Sequence, residues 1–389
     1  MEVNVFIFLA GLFLLVFFLG KIFERWKIPW IFSSMLIGAL LAIKNPFSGI
    51  TSSSEFSFLS NLGMLFLLFI IGFEIDLKKM EKFAGFIFGS TFFIILFEAL
   101  VGTLLIHFVF GYAWFISFIV GMSFATVGEA ILIPILDEFK IVNTRLGQMI
   151  LGIGTFDDIF EILVLVLVVL FLGVDSSKTG GNFIVIIIAL VALSLLTSIF
   201  IRMKKTNHRF KFTKIESLFL LCIAILFLFI GIGELSGSSA LAALLAGISL
   251  KTFLPKDRIE SIEVEMKSLC YGFFAPIFFV SVGLALDLKY LFSSFWLILM
   301  IFFASALSKL IASYILGHKK LGGKDSVLLG IGLSARFSTS IVIIKILLDN
   351  MLIKEGLYSV IIASSIIFTF LIPILFSKLI VKWKVKRGK

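Results

Sequence analysis

Two adjacent aspartates, Asp157 and Asp158, lie in the middle of an apolar stretch that runs from Leu146 to Leu172. Glu161 follows one helical turn after Asp157. One charged side chain at the centre of a membrane helix costs about 2.5–3.5 kcal/mol, so three acids in one such stretch need an explanation. Intramembrane acids that gain and lose protons are typical of ion and proton pathways. The alternative is a carboxylate that is buried against a lysine for stability alone.

The two aspartates should face different surroundings. Successive residues of an α-helix point about 100° apart, so this pair is not placed to share one proton. Lys309, in the apolar stretch from Phe302 to Gly317, is a candidate counter-charge. A buried lysine needs a partner, although a long side chain of this kind can also extend to the membrane interface.

Two apolar stretches contain clusters of small and polar residues, at Gly121–Glu129 and at Gly330–Ser340. Helices that are interrupted at corresponding positions of two inverted repeats indicate a transporter binding site. The alternative is the close packing of small residues between continuous helices. Glu129 and Arg336 are the charged residues of these clusters, and we expect Arg336 to pair with Glu129 or with Glu161.

The composition defines the class. Hydrophobic residues make up 60% of the 389 residues, charged residues 15%, and the mean hydropathy is +1.17. Soluble domains contain about 25% charged residues, and strands of a membrane barrel are about 10 residues long, half the length of the apolar stretches here. The sequence therefore predicts an all-α integral membrane protein that crosses the bilayer many times.

Enzymatic chemistry and cofactors are not expected. The histidines (His107, His208 and His318) and the cysteines (Cys222 and Cys270) form no metal-ligand spacing. No zinc motif or serine–histidine arrangement appears either. The formal charge of +10 is better explained by membrane topology than by nucleic-acid binding.

Thirteen spans are predicted. They cover 3–20, 28–43, 57–75, 85–109, 113–136, 146–172, 182–201, 215–233, 239–252, 268–286, 291–316, 325–348 and 356–377. With the N-terminus outside and the C-terminus in the cytoplasm, most of the 34 lysines and arginines fall in inner loops, as the positive-inside rule requires. The longest polar loop, Arg202–Lys214, is too short for a folded domain. We therefore expect one transmembrane unit, 1–389, without a soluble regulatory domain.

Four segments resemble the monovalent cation:proton antiporter-2 family, the sodium/proton exchangers with a broken-helix core. They are LGMLFLLFIIGFEIDL (62–77), the stretch around Asp157 and Asp158, LSGSSALAALLAGISL (235–250) and FFAPIFFVSVGLALDL (273–288). The resemblance extends over essentially the whole chain. Three departures stand out: Glu129 after the fifth-span break, Phe156 before the acidic pair, and SARFSTS in the twelfth span, which keeps Arg336 but lacks the family's acid.

The resemblance implies roles for particular residues. Asp158 would be the principal ligand of Na+ and of the proton, and Thr126 would lie near the cation. Asp157 would form a salt bridge with Lys309 that breaks and re-forms during transport. Glu129 could replace the missing twelfth-span acid as the partner of Arg336.

The resemblance also implies an architecture and an activity. Two discontinuous helices would cross in a core formed by about 85–172 and 291–377, and 1–56 with 182–286 would form a scaffold for a homodimer. The chain would exchange Na+ for H+ across the plasma membrane by alternating access, electrogenically and with an elevator-like movement. Transport of K+ or Li+ stays open, as do a K+/H+ antiporter, a cation channel and a sodium-coupled symporter of an organic anion.

Overall fold

The described part of the chain is helical throughout. The computed structural model describes residues 4–25, 29–74, 85–127, 136, 139–142, 144–174, 191–193, 195–199, 214–235, 239–254, 256–336 and 338–383. The first helices are α1 (Val5–Arg25), α2 (Phe32–Ile43), α3 (Ser48–Thr51), α4 (Ser54–Glu74), α5 (Gly85–Phe110), α6 (Trp114–Phe124), α7 (Arg145–Val174) and α8 (Ile215–Glu234). The remaining helices are α9 (Ser239–Phe253), α10 (Lys256–Leu269), α11 (Ala275–Leu284), α12 (Leu288–Ser293), α13 (Phe295–Leu321), α14 (Gly323–Leu333), α15 (Ser338–Asp349) and α16 (Glu355–Trp383).

The helices confirm the predicted class. Within the described ranges, seven helical segments are long and apolar enough to cross a membrane: α1, α4, α5, α8, the continuous run from α10 to α11, α13 and α16. Three shorter helices, α2, α6 and α9, are also apolar. The chain is therefore an all-α membrane protein with many spans, while the number thirteen stays a prediction.

The chain divides into two compact units. The first contains residues 1–16, 34–75 and 165–283. The second contains residues 17–33, 76–164 and 284–389. Residues 17–33 belong to the second unit, although the sequence grouped them with the scaffold. The functions of the two units, scaffold and ion-carrying core, stay predictions.

In the first unit, α4 and α9 approach each other through glycines. A Cβ atom added to Gly72 would lie 2.1 Å from the carbonyl oxygen of Leu244, and one added to Gly247 would lie 2.2 Å from that of Phe69. Both distances are far below van der Waals contact. Small residues at such a position let two membrane helices pack backbone to backbone.

Alanine at Gly72 should therefore destabilise the protein. The added methyl group forces α4 and α9 apart, and overpacking of this kind costs about 1–3 kcal/mol. Thermal unfolding in detergent measures the effect. Gly231→Ala is the matched control, because an added Cβ there meets no atom within 4 Å. Equal melting temperatures for the two variants would contradict the close packing of α4 on α9.

The helical run from α10 to α11 contains a π-helical turn, Cys270–Phe274. Beyond it, α11 packs against α2 as closely as α4 packs against α9. A Cβ on Gly283 would lie 2.2 Å from the carbonyl oxygen of Met35, and a Cβ on Gly38 would lie 2.1 Å from that of Val280. The side of α11 that carries Val280 and Gly283 therefore contacts α2.

In the second unit, the predicted twelfth span is interrupted. α14 ends at Leu333 and α15 begins at Ser338, which confirms the predicted break in the twelfth span. The last turn of α14 tightens, because Ser334 and Ala335 donate their N–H groups to Ile331 and Gly332 at 3.1 and 3.0 Å. Such short-range bonds satisfy part of the free carbonyls at a helix end.

The first half of the predicted fifth span is α6, which ends at Phe124. Residues 125–127 continue in a non-helical conformation, and the Ala125 N–H donates to the Met122 carbonyl at 3.0 Å. The helix therefore stops well inside the predicted span 113–136. Gly128 and Glu129 lie outside the described residues.

Candidate ion-binding site

Lys309 connects the ends of α6 and α14. Its Nζ donates to the carbonyl oxygen of Thr126, just beyond α6, at 2.9 Å. It also donates to the carbonyl oxygen of Leu333, the last residue of α14, at 2.7 Å. The C-terminal end of a helix carries partial negative charge and unpaired carbonyl groups. One ammonium group therefore compensates two buried helix ends.

Asp157 contacts the same stretch of backbone from α7. Its Oδ2 accepts the N–H of Val127 at 2.5 Å. The Thr126 carbonyl and the Val127 N–H belong to one peptide group, and no cis peptide bond occurs in the described residues. In a trans peptide these two groups point in opposite directions. The Thr126–Val127 peptide therefore lies between Lys309 and Asp157, with its dipole oriented favourably toward both charges.

Glu98, on α5, pairs with both buried cations. Its Oε2 lies 3.3 Å from Lys309 Nζ, and its Oε1 accepts from Arg336 Nη2 at 3.0 Å. Ser305 Oγ donates to Glu98 Oε1 and accepts from Arg336 Nη2. Ser305 and Lys309 lie one turn apart on α13, which packs against α5. The helix pair α5–α13 thus brings the acid to the lysine.

Arg336 follows α14 and is held by aromatic rings. Its Cζ lies 4.5 Å from the centroid of the Phe368 ring and 5.3 Å from that of Phe124. Its backbone carbonyl accepts the hydroxyl hydrogen of Thr369 at 3.0 Å. Cation–π contacts are strongest where water is excluded, so the rings and Glu98 together stabilise this guanidinium.

The buried charges of the described residues balance. Two acids, Glu98 and Asp157, and two bases, Lys309 and Arg336, are each at most 1% exposed. Removing one member of such a set leaves an uncompensated buried charge, which is strongly destabilising.

The predicted salt bridge between Asp157 and Lys309 is absent from the ion pairs of the described residues, and Lys309 pairs with Glu98. The physical reason is geometric, since Lys309 and Asp157 contact opposite ends of one peptide group. The proposed bridge stays a prediction for other conformations of the protein.

Arg336 pairs with Glu98, an acid that was not among its predicted partners, and the predicted pairing with Glu129 or Glu161 stays a prediction. Glu129 lies outside the described residues. Glu161 and Asp158 lie on α7, as predicted, but their side chains are outside the described part of the structure.

The sequence alone assigns no role to Glu98. The available signal was its position as the single acid of a 26-residue apolar helix. What the sequence could not show is that this acid faces two cations. Thr126 is buried beside the break of α6, where its hydroxyl donates to the Ser123 carbonyl at 3.2 Å, and its carbonyl is taken by Lys309.

Apolar helices that end at a group of buried charges, as α6 and α14 do, are typical of secondary transporters with discontinuous helices. The sequence comparison agrees with this class. The chain belongs to the family described as "Sodium/hydrogen exchanger, transmembrane", whose profile matches residues 11–382.

Several relatives are similar over most of their length. A Na+/H+ antiporter of Enterococcus hirae is 28% identical over 385 residues, covering 95% of this chain and 94% of the relative. KhtU, a K+/H+ antiporter subunit of Bacillus subtilis, is 30% identical over 76% of this chain and 72% of its own length. The structure of the sodium proton antiporter MjNhaP1 from Methanocaldococcus jannaschii matches with a TM-score of 0.65 at 18% identity, over 97% of this chain and 96% of that one. This structural match supports the fold.

Proposed function

We propose that this protein exchanges Na+ for H+ across the plasma membrane. The observation that carries the proposal is the buried Asp157, adjacent to Asp158 on α7, which contacts the interrupted end of α6 through Val127. Family membership and the Enterococcus hirae relative, which is named as a Na+/H+ antiporter, support the same activity.

The exchange follows from competition for one carboxylate. Asp158 binds either a proton or a dehydrated Na+, and the two exclude each other. Na+ prefers hard oxygen ligands, a preference it shares with other hard cations. The Asp158 carboxylate and the Thr126 hydroxyl are of this kind. Exchange results when the site crosses the membrane only in a loaded state, because an empty site then cannot return and let one ion leak.

The described residues give the site a fixed frame. Lys309 donates to the carbonyls of Thr126 and Leu333, and Asp157 accepts the N–H of Val127. These contacts hold the backbone at the ends of α6 and α14 in one position. An ion that enters therefore meets polar groups that need little reorganisation.

Further features belong to the same proposal. A homodimer, an external N-terminus and a cytoplasmic C-terminus fit the distribution of basic residues and the resemblance. Two acids at the site support electrogenic exchange, in which more protons than sodium ions move per cycle. An elevator-like movement of the second unit would carry the site across the membrane.

K+/H+ exchange is the second candidate. The observation that favours it is the 30% identity to the Bacillus subtilis K+/H+ antiporter subunit. A site with Asp158 and Thr126 can in principle bind either cation, and ligand spacing decides between them.

Currents on a solid-supported membrane test the proposal. We expect proteoliposomes of the wild-type protein to give a Na+-dependent current coupled to a pH change inside the vesicles. A response to K+ alone would select the second candidate. A steady current that persists without a proton gradient and follows only the cation would overturn the exchanger in favour of a channel.

A further inference from the structure

Glu98 has a specific task beyond balancing charge. We propose that Glu98 is a positioning residue that keeps Lys309 away from Asp157, and that it thereby sets the affinity of the site for its cation. The inference rests on the proposed cation exchange, and it assigns a determinant of affinity to a residue that lies outside the ion ligands.

Lys309 uses all of its hydrogen-bond donors. An ammonium group has three N–H donors. The carbonyls of Thr126 and Leu333 take two of them at 2.9 and 2.7 Å. Among the described residues, the remaining close contact is the ionic one with Glu98 Oε2 at 3.3 Å. While all three partners are present, Lys309 has no donor left for Asp157.

The other buried acid of the described residues, Asp157, lies close to Lys309. Asp157 accepts the Val127 N–H, and Lys309 contacts the carbonyl of the same peptide group. Asp157 is therefore the nearest alternative acid for Lys309 within the described part of the chain. A lysine that pairs with Asp157 places positive charge beside Asp158, and like charges at a few ångströms repel an entering cation strongly in a dry site.

Arg336 does not replace Lys309 as a competitor for Asp157, because its guanidinium is held more firmly. Its guanidinium lies against the rings of Phe368 and Phe124 and donates to Glu98 and Ser305. A planar group held between rings moves less than the flexible four-carbon chain of a lysine. Loss of Glu98 therefore frees Lys309 in particular.

The prediction concerns Glu98→Gln. This variant removes the charge that holds Lys309 but keeps the shape of the side chain. We expect the apparent KM for Na+ to rise roughly tenfold, within the range found for directly interacting residues, while kcat changes far less. Na+-induced thermal stabilisation in detergent should weaken in parallel, and this binding measurement does not require turnover. Glu216→Gln, an exposed acid in the first turn of α8, is the matched control.

Two double variants separate competition from charge balance. Glu98→Gln with Lys309→Gln and Glu98→Gln with Arg336→Gln both restore the formal charge of the buried group. We expect the first pair to bind Na+ more tightly than Glu98→Gln alone, because the competing charge is gone while a glutamine amide at position 309 can still donate to a backbone carbonyl. The second double variant should bind Na+ as weakly as Glu98→Gln, because Asp157 is then the remaining acid for Lys309 among the described buried residues.

Each other outcome overturns the inference. Wild-type affinity in Glu98→Gln would show that Glu98 does not restrain Lys309. Equal recovery in both double variants would show that only net charge matters, and equal weakness would show a purely structural role. If Glu98→Gln does not yield folded protein, the two double variants are compared directly with each other. Vesicles of the wild type that exchange no cation would refute the proposed function alone, because the thermal measurements with Na+, K+ and Li+ still rank the variants.

Discussion

Asp158→Asn should lower Na+-driven proton movement to the level of protein-free vesicles. The amide cannot take up a proton or provide a negative charge to a dehydrated Na+, so neither half of the exchange remains. The variant should still fold, because asparagine has nearly the same shape as aspartate. A pH-sensitive dye inside proteoliposomes measures the flux while an Na+ gradient is applied.

The neighbouring aspartate provides the comparison. Asp157→Asn should retain part of the flux, because the amide oxygen of asparagine can still accept the Val127 N–H. The exposed substitution Glu216→Gln should leave the flux unchanged. A full Na+-dependent pH change in Asp158→Asn would refute the assignment of this residue as the carrier.

Arg336→Met should produce a large loss of stability. It removes a cation that is 1% exposed and leaves Glu98 with one partner instead of two. Removing one partner of a buried ion pair costs about 3–5 kcal/mol. Methionine fills much of the volume between Phe124 and Phe368, so the loss reports mainly the charge. Chemical unfolding in detergent measures the free energy of unfolding.

Lys345→Met is the matched control, because it also removes a cation. Lys345 pairs with Asp349 one helical turn away, and the carboxylate partner is 51% exposed. Exposed ion pairs contribute about 0–1 kcal/mol. Arg336→Lys should fall between the two, since it keeps the charge but loses the planar contact with the rings. Equal losses for Arg336→Met and Lys345→Met would contradict a stabilising role for the buried group.

The sequence predicted the helices because apolar length is a local property. The end of α14 at Leu333 was also predictable, since Gly330, Gly332 and Ser334 weaken a helix close to an arginine in an apolar stretch. The acidic pair on α7 was found in the same way, from charges that an apolar stretch does not tolerate without reason.

The sequence did not predict which of the charged residues pair with each other. Glu98 lies 207 residues from Ser305 and 238 residues from Arg336, and only the packing of α5 against α13 brings them together. Charge counting gave candidates for Arg336 but no means to choose among them. The resemblance joined Asp157 to Lys309, whereas the structure places one peptide group between them. The spacing of residues in the sequence cannot predict that a backbone peptide group separates two charged side chains.

The π-helical turn at Cys270–Phe274 has a consequence for chain length. A π-helical turn accommodates one residue more than the α-helix it interrupts. One residue of an α-helix corresponds to a rotation of about 100°. Without the extra residue, Gly283 would rotate away from Met35, and a larger neighbour would face α2 in its place. The rotational phase of α11 thus depends on a single inserted residue, so this segment tolerates a change of side chain better than a change in the number of residues.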